Sequence, residues 1–188
     1  MHAIHLEQSE IDALGKAKAN VCACPSTERN LGDGVVPADA LLRAGVGLAL
    51  GSDSPAEISR LEDARQLEGH LRLVRGRRGV LDPGGGEVSG LAERLLHCTN
   101  LGGARSLGLD VGALTTGQPA DFVTFDLTHP SLVGAPASAL IPAIVFGAAS
   151  GAISEVAVNG KLLVEAGRHP LREASGRDFA ALVSRVCP

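Results

Sequence analysis

The run Val46-Gly47-Leu48-Ala49-Leu50 contains no polar residue and ends in Gly51-Ser52-Asp53-Ser54. A strand with one wet face alternates polar and apolar side chains. An unalternated run of this length belongs to a strand covered on both faces, as in a parallel sheet flanked by helices. The neighbouring stretches agree. Pro37 suits the first turn of a helix running through Ala44. Residues 57–74 form a charged amphipathic helix in which Glu57, Glu62 and Glu68 belong to a solvated face. Upstream, residues 3–6 read as a strand end, and 9–19 as a helix with Ser9 and Asp12 in capping-box spacing. Residues 21–24 read as a short strand and 25–34 as a loop of turn formers. Downstream, 76–90 is a linker containing Gly84-Gly85-Gly86, and 91–109 holds two short helices, the second capped at Thr99. This order of strands and helices predicts an α/β fold.

The texture changes after Gly112. Residues 120–127 read as a strand, and Asn159-Gly160 is a hairpin signal inside 153–169. Asp121 reads as a turn residue at the start of its strand, and 179–186 as a closing helix.

Composition excludes several classes of function. The formal net charge of −4 offers no electrostatic attraction to nucleic acid. Four Phe, no Trp and no Tyr leave no stacking platform for single strands. No apolar run reaches membrane-spanning length and the first residues lack a secretory pattern, so the chain reads as cytoplasmic. Cys22, Cys24, Cys98 and Cys187 do not form paired C-x-x-C knuckles. Cys22 and Cys24 read as small core residues of a strand.

Chemistry in a parallel α/β fold sits where strands end and the following loops begin. His2 and Asp53 meet that description. A histidine and a carboxylate converging there can bind a metal or move a proton. Asp53 reads equally as the N-cap of a following helix, and His2 as part of a frayed terminus.

"MHAIHL", "CPSTERNLGDGVVPADALLRAGVGLALGSDS", "GQPADFVTFDL" and "VAVNGKLLVEAGRH" together resemble the C-terminal half of an amidohydrolase-superfamily deaminase. That family carries N-L-x-x-G-x-x-P before its penultimate strand and G-[ST]-D after its last one. Here these are Asn30-Leu31-Gly32-Asp33-Gly34 with Pro37, and Gly51-Ser52-Asp53. The interval from His2 to Asp53 also agrees with the family's. "STERNLGDG" and "SDSPAEISRLEDARQLE" look most like the formimidoylglutamate deiminases. Guanine or nucleoside aminohydrolases usually carry N-L-K-L-x-x-G in that place.

The resemblance implies the last strands and helices of a (β/α)₈ barrel over residues 1–112. It also implies a β-sandwich segment with a hairpin over 113–170 and a C-terminal helix over 171–188. It implies one zinc per complete site and a small-molecule substrate, with neither nucleic acid nor membrane as partner. Asp53 would ligate zinc and take a proton from the attacking water, and His2 would polarise the bound substrate. His5 reads as an interior histidine, while Glu28 and Asn30 on the approaching loop serve either as braces or as substrate contacts.

The family also needs an H-x-H pair and an H-x-x-E. None of His2, His5, His70, His97, His129 or His169 stands two before a histidine or three before a glutamate. The remaining zinc ligands, the acid/base glutamate and the arginines for the substrate carboxylate are therefore expected from elsewhere. A half barrel has an open edge and an uncovered interior. The isolated chain is accordingly expected to be marginally stable, and relieved by self-association or by an N-terminal partner. Three readings follow: a formimidoylglutamate deiminase half, a half of another aminohydrolase, or a catalytically dead remnant serving as an interaction module.

Overall fold

The computed structural model describes residues 1–55 and 57–187. Two compact units divide them: Met1–Ala113 with Ala135–Ala148, and Leu114–Gly134 with Ala149–Pro188.

The first unit is built around a parallel pair, β1 (Asn20–Ala23) and β2 (Gly47–Leu50), in register Val21 to Leu48 and Ala23 to Leu50. β2 is apolar because both of its faces are covered, whereas β1 alternates, burying Val21 and Ala23 and leaving Asn20 exposed and Cys22 half-buried. Val21, Ala23, Leu48 and Leu50 join Leu41, Leu67, Leu71, Leu95 and Val145 in one buried cluster. Seven helices surround the pair: α1 (Gln8–Lys16), α2 (Pro25–Leu31), α3 (Ala38–Arg43), α4 (Arg60–Arg75), α5 (Val88–Thr99), α6 (Leu101–Ser106) and α7 (Leu140–Gly147).

Several local expectations are corrected. Residues 3–6 form no strand; only the His2 N–H reaches the β1 edge, donating to Cys22 O at 2.9 Å. The capping box of α1 uses Glu7 and Glu10 rather than Ser9 and Asp12, because Asp12 instead accepts from the Gln8 side chain. The stretch 25–34 contains the helix α2, with Pro25 at its first position, where the missing N–H costs nothing. Thr99 ends α5 rather than capping α6, its hydroxyl donating to Leu96 O at 2.8 Å. The N-cap of α4 is Ser59, whose Oγ accepts from the Glu62 N–H at 3.3 Å.

Glu68 departs furthest from expectation. Its carboxylate is 1% exposed rather than solvated. It accepts from Arg72 Nε at 2.7 Å, and from the backbone N–H groups of Val80 and Leu81 at 3.0 Å each. It thus ties the segment after α4 to the helix. No element was expected at α7, whose apolar sequence contains Pro142. The Arg65 guanidinium donates to the Val145, Ile144 and Ala148 carbonyls at 2.7, 3.4 and 2.6 Å. These are the acceptors a helix leaves orphaned at its C-terminal end.

The second unit is an antiparallel meander of β3 (Phe122–Phe125), β4 (Ile153–Val158) and β5 (Lys161–Val164), in spatial order β3-β4-β5. Asn159 and Gly160 turn the β4–β5 hairpin with φ of 49° and 74°, as a tight primed turn requires. Asp121 braces it, its Oδ1 accepting from the Asn159 N–H at 2.6 Å. The closing helix α8 (Arg172–Val186) begins seven residues before the stretch 179–186 read from the pattern, and buries no residue. Among the described residues, no helix is long and apolar enough to cross a membrane.

Candidate active site at the ends of β1 and β2

β2 buries its last three residues, and the ladder to β1 continues one step further through Gly51 N–H to Ala23 O at 3.0 Å. A side chain at position 51 has little room: a Cβ there would lie 3.3 Å from Cys22 Sγ and 3.7 Å from Cys24 Sγ. The chain then turns through Ser52 and Asp53, and Asp53 adopts the left-handed conformation, φ 59°.

Two adjacent residues in the first turn of α2 organise this end of the sheet. Thr27 Oγ1 donates to Ser52 O at 2.6 Å and accepts from the Ser54 N–H at 3.0 Å, stapling the turn on both sides of Asp53. Glu28 Oε1 accepts from the Cys24 N–H at 2.8 Å and lies 3.3 Å from His2 Nδ1. His2 Nε2 in turn lies 4.0 Å from Asp53 Oδ2. His2 and Asp53, 51 positions apart in the chain, are thus brought together with Glu28 behind them. Their side chains are about one-third exposed, 33% and 36%, so a solute can reach both.

The backbone at this place is unusual. His2, Ala3 and Asp53 all have left-handed φ, at 62°, 57° and 59°. Non-glycine residues pay roughly 1–3 kcal/mol for such conformations, which concentrate at functional sites.

The electrostatics follow from burial. Desolvation pushes the Glu28 carboxyl above its usual range, against the opposing pull of the Cys24 N–H and the His2 ring. Burial also raises the Cys22 thiol and pushes Cys24 up to about 12, so neither is poised as a thiolate nucleophile. His5 is exposed rather than interior, and Asn30 is exposed on α2. Sequence reasoning weighed Glu28 but missed Thr27; the signal available was its place in Pro25-Ser26-Thr27-Glu28, directly after β1.

A catalytic zinc takes three protein ligands and a water. Among the described residues, no three His, Cys, Asp or Glu side chains are grouped to hold a metal. The described residues therefore do not by themselves make a complete zinc site.

The amidohydrolase family profile matches residues 1–163. The chain belongs to the amidohydrolase family. The formimidoylglutamate deiminase of Pseudomonas aeruginosa is 34% identical to this amidohydrolase chain over 99% of its length and 41% of the relative's. The 5-methylthioadenosine/S-adenosylhomocysteine deaminase of Moorella thermoacetica is 32% identical over 88% of the chain and 37% of its own length. Among solved structures, an amidohydrolase from Brucella melitensis matches all of the chain with TM-score 0.87 at 33% identity, over 40% of that protein. A zinc-bound adenosine deaminase from Xanthomonas campestris matches 98% of it with TM-score 0.82 at 25% identity, over 42% of that protein. The chain thus spans about two-fifths of the length of the relatives it matches. Three of these four relatives bear the name of a deiminase or deaminase, and this amidohydrolase chain, itself mixed α/β, shares the fold of the two solved structures over that span.

Proposed function

We propose that the chain supplies the last strands and helices of a (β/α)₈ amidohydrolase barrel (residues 1–112), part of a β-sandwich (113–170) and a closing helix (171–188). In this reading, once completed by the preceding strands, it forms a zinc-dependent deaminase that converts N-formimidoyl-L-glutamate and water to the N-formyl compound and ammonia. The observation that carries the deaminase reading is the solvent-accessible His2–Asp53 pair beside the ends of β1 and β2, with Glu28 and Thr27 behind it. The substrate is supported by the match to formimidoylglutamate deiminase over nearly the whole chain.

In this reading Asp53 accepts the proton of the attacking water, and His2 hydrogen-bonds the substrate from Nε2, favouring the charge that develops as C=N becomes tetrahedral. Asp53 is also one of the ligands a zinc needs, and the others come from outside these residues. The apolar run of β2 then has a purpose: it buries itself in the barrel and presents one carboxylate at the rim.

The test is complementation. The part of the Pseudomonas aeruginosa enzyme that this chain does not span is produced together with the chain, and ammonia release and zinc content are measured. Release from N-formimidoyl-L-glutamate, lost at least 10²-fold in Asp53→Asn, is the expected result. Release from guanine or 5-methylthioadenosine instead would replace the substrate. A folded, zinc-loaded complex inert towards all three would overturn the reading.

A further inference from the structure

Four carboxylates in the first unit are buried: Glu28, Asp39, Asp63 and Glu68. Three are held by arginines or backbone amides. Asp39 faces Arg43 and Arg75, Asp63 accepts from the Ser26 N–H through Oδ1 while its Oδ2 finds no partner among the described residues, and Glu68 is satisfied by Arg72, Val80 and Leu81. Glu28 differs from these. One of its partners is the Cys24 N–H, and the other is a histidine ring one-third open to solvent.

We propose that Glu28 is a positioning residue for His2: its buried carboxylate accepts from Nδ1–H, which fixes the ring's proton on Nδ1 and turns the unprotonated Nε2 outward beside Asp53. A carboxylate oxygen has two lone-pair sites. The Cys24 amide, which can only donate, occupies one site on Oε1, and the ring nitrogen lies at the other. Glu28 cannot swing away, because it is 1% exposed and sits one turn into α2, whose start is fixed where β1 ends. The backbone supports the same conclusion. His2 and Ala3 hold left-handed φ while the His2 N–H bonds Cys22 O, so the ring is delivered to Glu28 against local preference. The neighbouring Thr27 secures the Asp53 turn. One turn of one short helix therefore sets both members of the pair.

The chemical consequence is a directed histidine. With Nδ1 committed, Nε2 is the ring atom left to take up a proton, and once charged the ring can donate from Nε2 while Glu28 steadies the imidazolium. That catalytic benefit rests on the function proposed above. The tautomer itself does not, and it can be read without substrate, metal or activity.

The test is long-range proton–nitrogen NMR on the full chain with ¹⁵N-labelled histidine, at a pH where the ring is neutral. The His2 signals are identified by their loss in His2→Gln. The expected spectrum shows Nδ1 protonated and Nε2 bare, and Glu28→Met, which keeps the length and removes the acceptor, loses the dominance of that form. Two outcomes overturn the proposal. One is a wild-type ring protonated on Nε2, as it would be if Glu28 were itself the donor. The other is an Nδ1-protonated ring that survives Glu28→Met. Should Glu28→Met fail to fold, the wild-type spectrum decides alone. Failure of the deaminase reading would appear in the ammonia assay and leave this spectrum unchanged.

Discussion

The two units bury their apolar residues to very different degrees. In the first, Leu41, Leu67, Leu71, Leu81, Leu95 and Val145 are all 1% exposed or less. In the second, Leu132, Ala152 and Ala157 are the buried apolar residues among those described. Val123 and Val158 on its sheet are each 48% exposed, and Phe179 and Val186 on α8 are each 67% exposed. Both units contain regular structure, so hydrogen-bonded ladders do not distinguish them. The difference is in layers. In the first unit helices cover a parallel pair, whereas in the second a three-stranded meander and a helix leave much of their apolar surface wet. A single sheet reaches independent stability through a covered face.

The contrast can be broken by truncation. Leu67→Ala should cost about 2–5 kcal/mol, the range for emptying a closed core site. Phe179→Ser should shift stability by less than about 0.5 kcal/mol. Urea titration of both variants measures the gap, and equal losses would show that α8 is covered in solution.

A smaller effect sharpens the picture inside the first unit, at two neighbouring glycines of α6. A Cβ on Gly102 would lie 2.0 Å from Leu48 O, whereas a Cβ on Gly103 meets nothing within 4 Å. Gly102→Ala should therefore destabilise by about 1–3 kcal/mol, through backbone that cannot retreat from β2. Gly103→Ala should stabilise by about 0.5–1 kcal/mol through helix propensity alone. Thermal unfolding of the pair checks the opposite signs.

The smallest effect concerns acid. Burial would raise the Asp39 carboxyl, but Arg75 and Arg43 outweigh it and hold the group below its ordinary value of 3.8. An acid with a depressed folded-state value contributes stability above its unfolded value and loses it as pH falls through the folded one. Asp39→Asn should therefore cost about 1 kcal/mol at pH 7, and the gap to wild type should close below pH 3.8. A gap unchanged in acid would show that the carboxylate's charge contributes nothing.

Much of this was legible in the sequence, for reasons tied to particular residues. β2 announced itself because an unalternated apolar run admits few placements, and the β4–β5 turn because Asn159-Gly160 encodes its own φ values. His2 and Asp53 were singled out as residues at strand ends; the structure brings the two side chains within 4.0 Å, with Asp53 just past β2 and His2 beside β1 rather than on a strand. What stayed hidden is non-local. Turn-forming residues disguised α2, whose first turn is held by a carboxylate 37 positions away, Asp63, accepting from the Ser26 N–H. Glu68 shares a helix face with Arg72 in the spacing of a surface pair, and nothing nearby in sequence reveals the amides of Val80 and Leu81. The uniformly apolar stretch of α7 carries no amphipathic period, and Pro142 argues against a helix until Arg65 supplies its end. The Glu28–His2 contact spans 26 positions.

The carboxylate of Glu68 also divides what composition presents as one spacer. Val80 and Leu81 are fastened to α4, whereas Gly84, Gly85 and Gly86 stand exposed with no neighbour within 4 Å of a would-be side chain. A protease exploring residues 76–90 should cut among those glycines and spare the anchored pair. The two pieces should then stay together, because α4 and α5 share one core on either side of the nick. The glycines are also where a foreign peptide can be spliced in without disturbing the paired strands beside which the histidine and the aspartate meet.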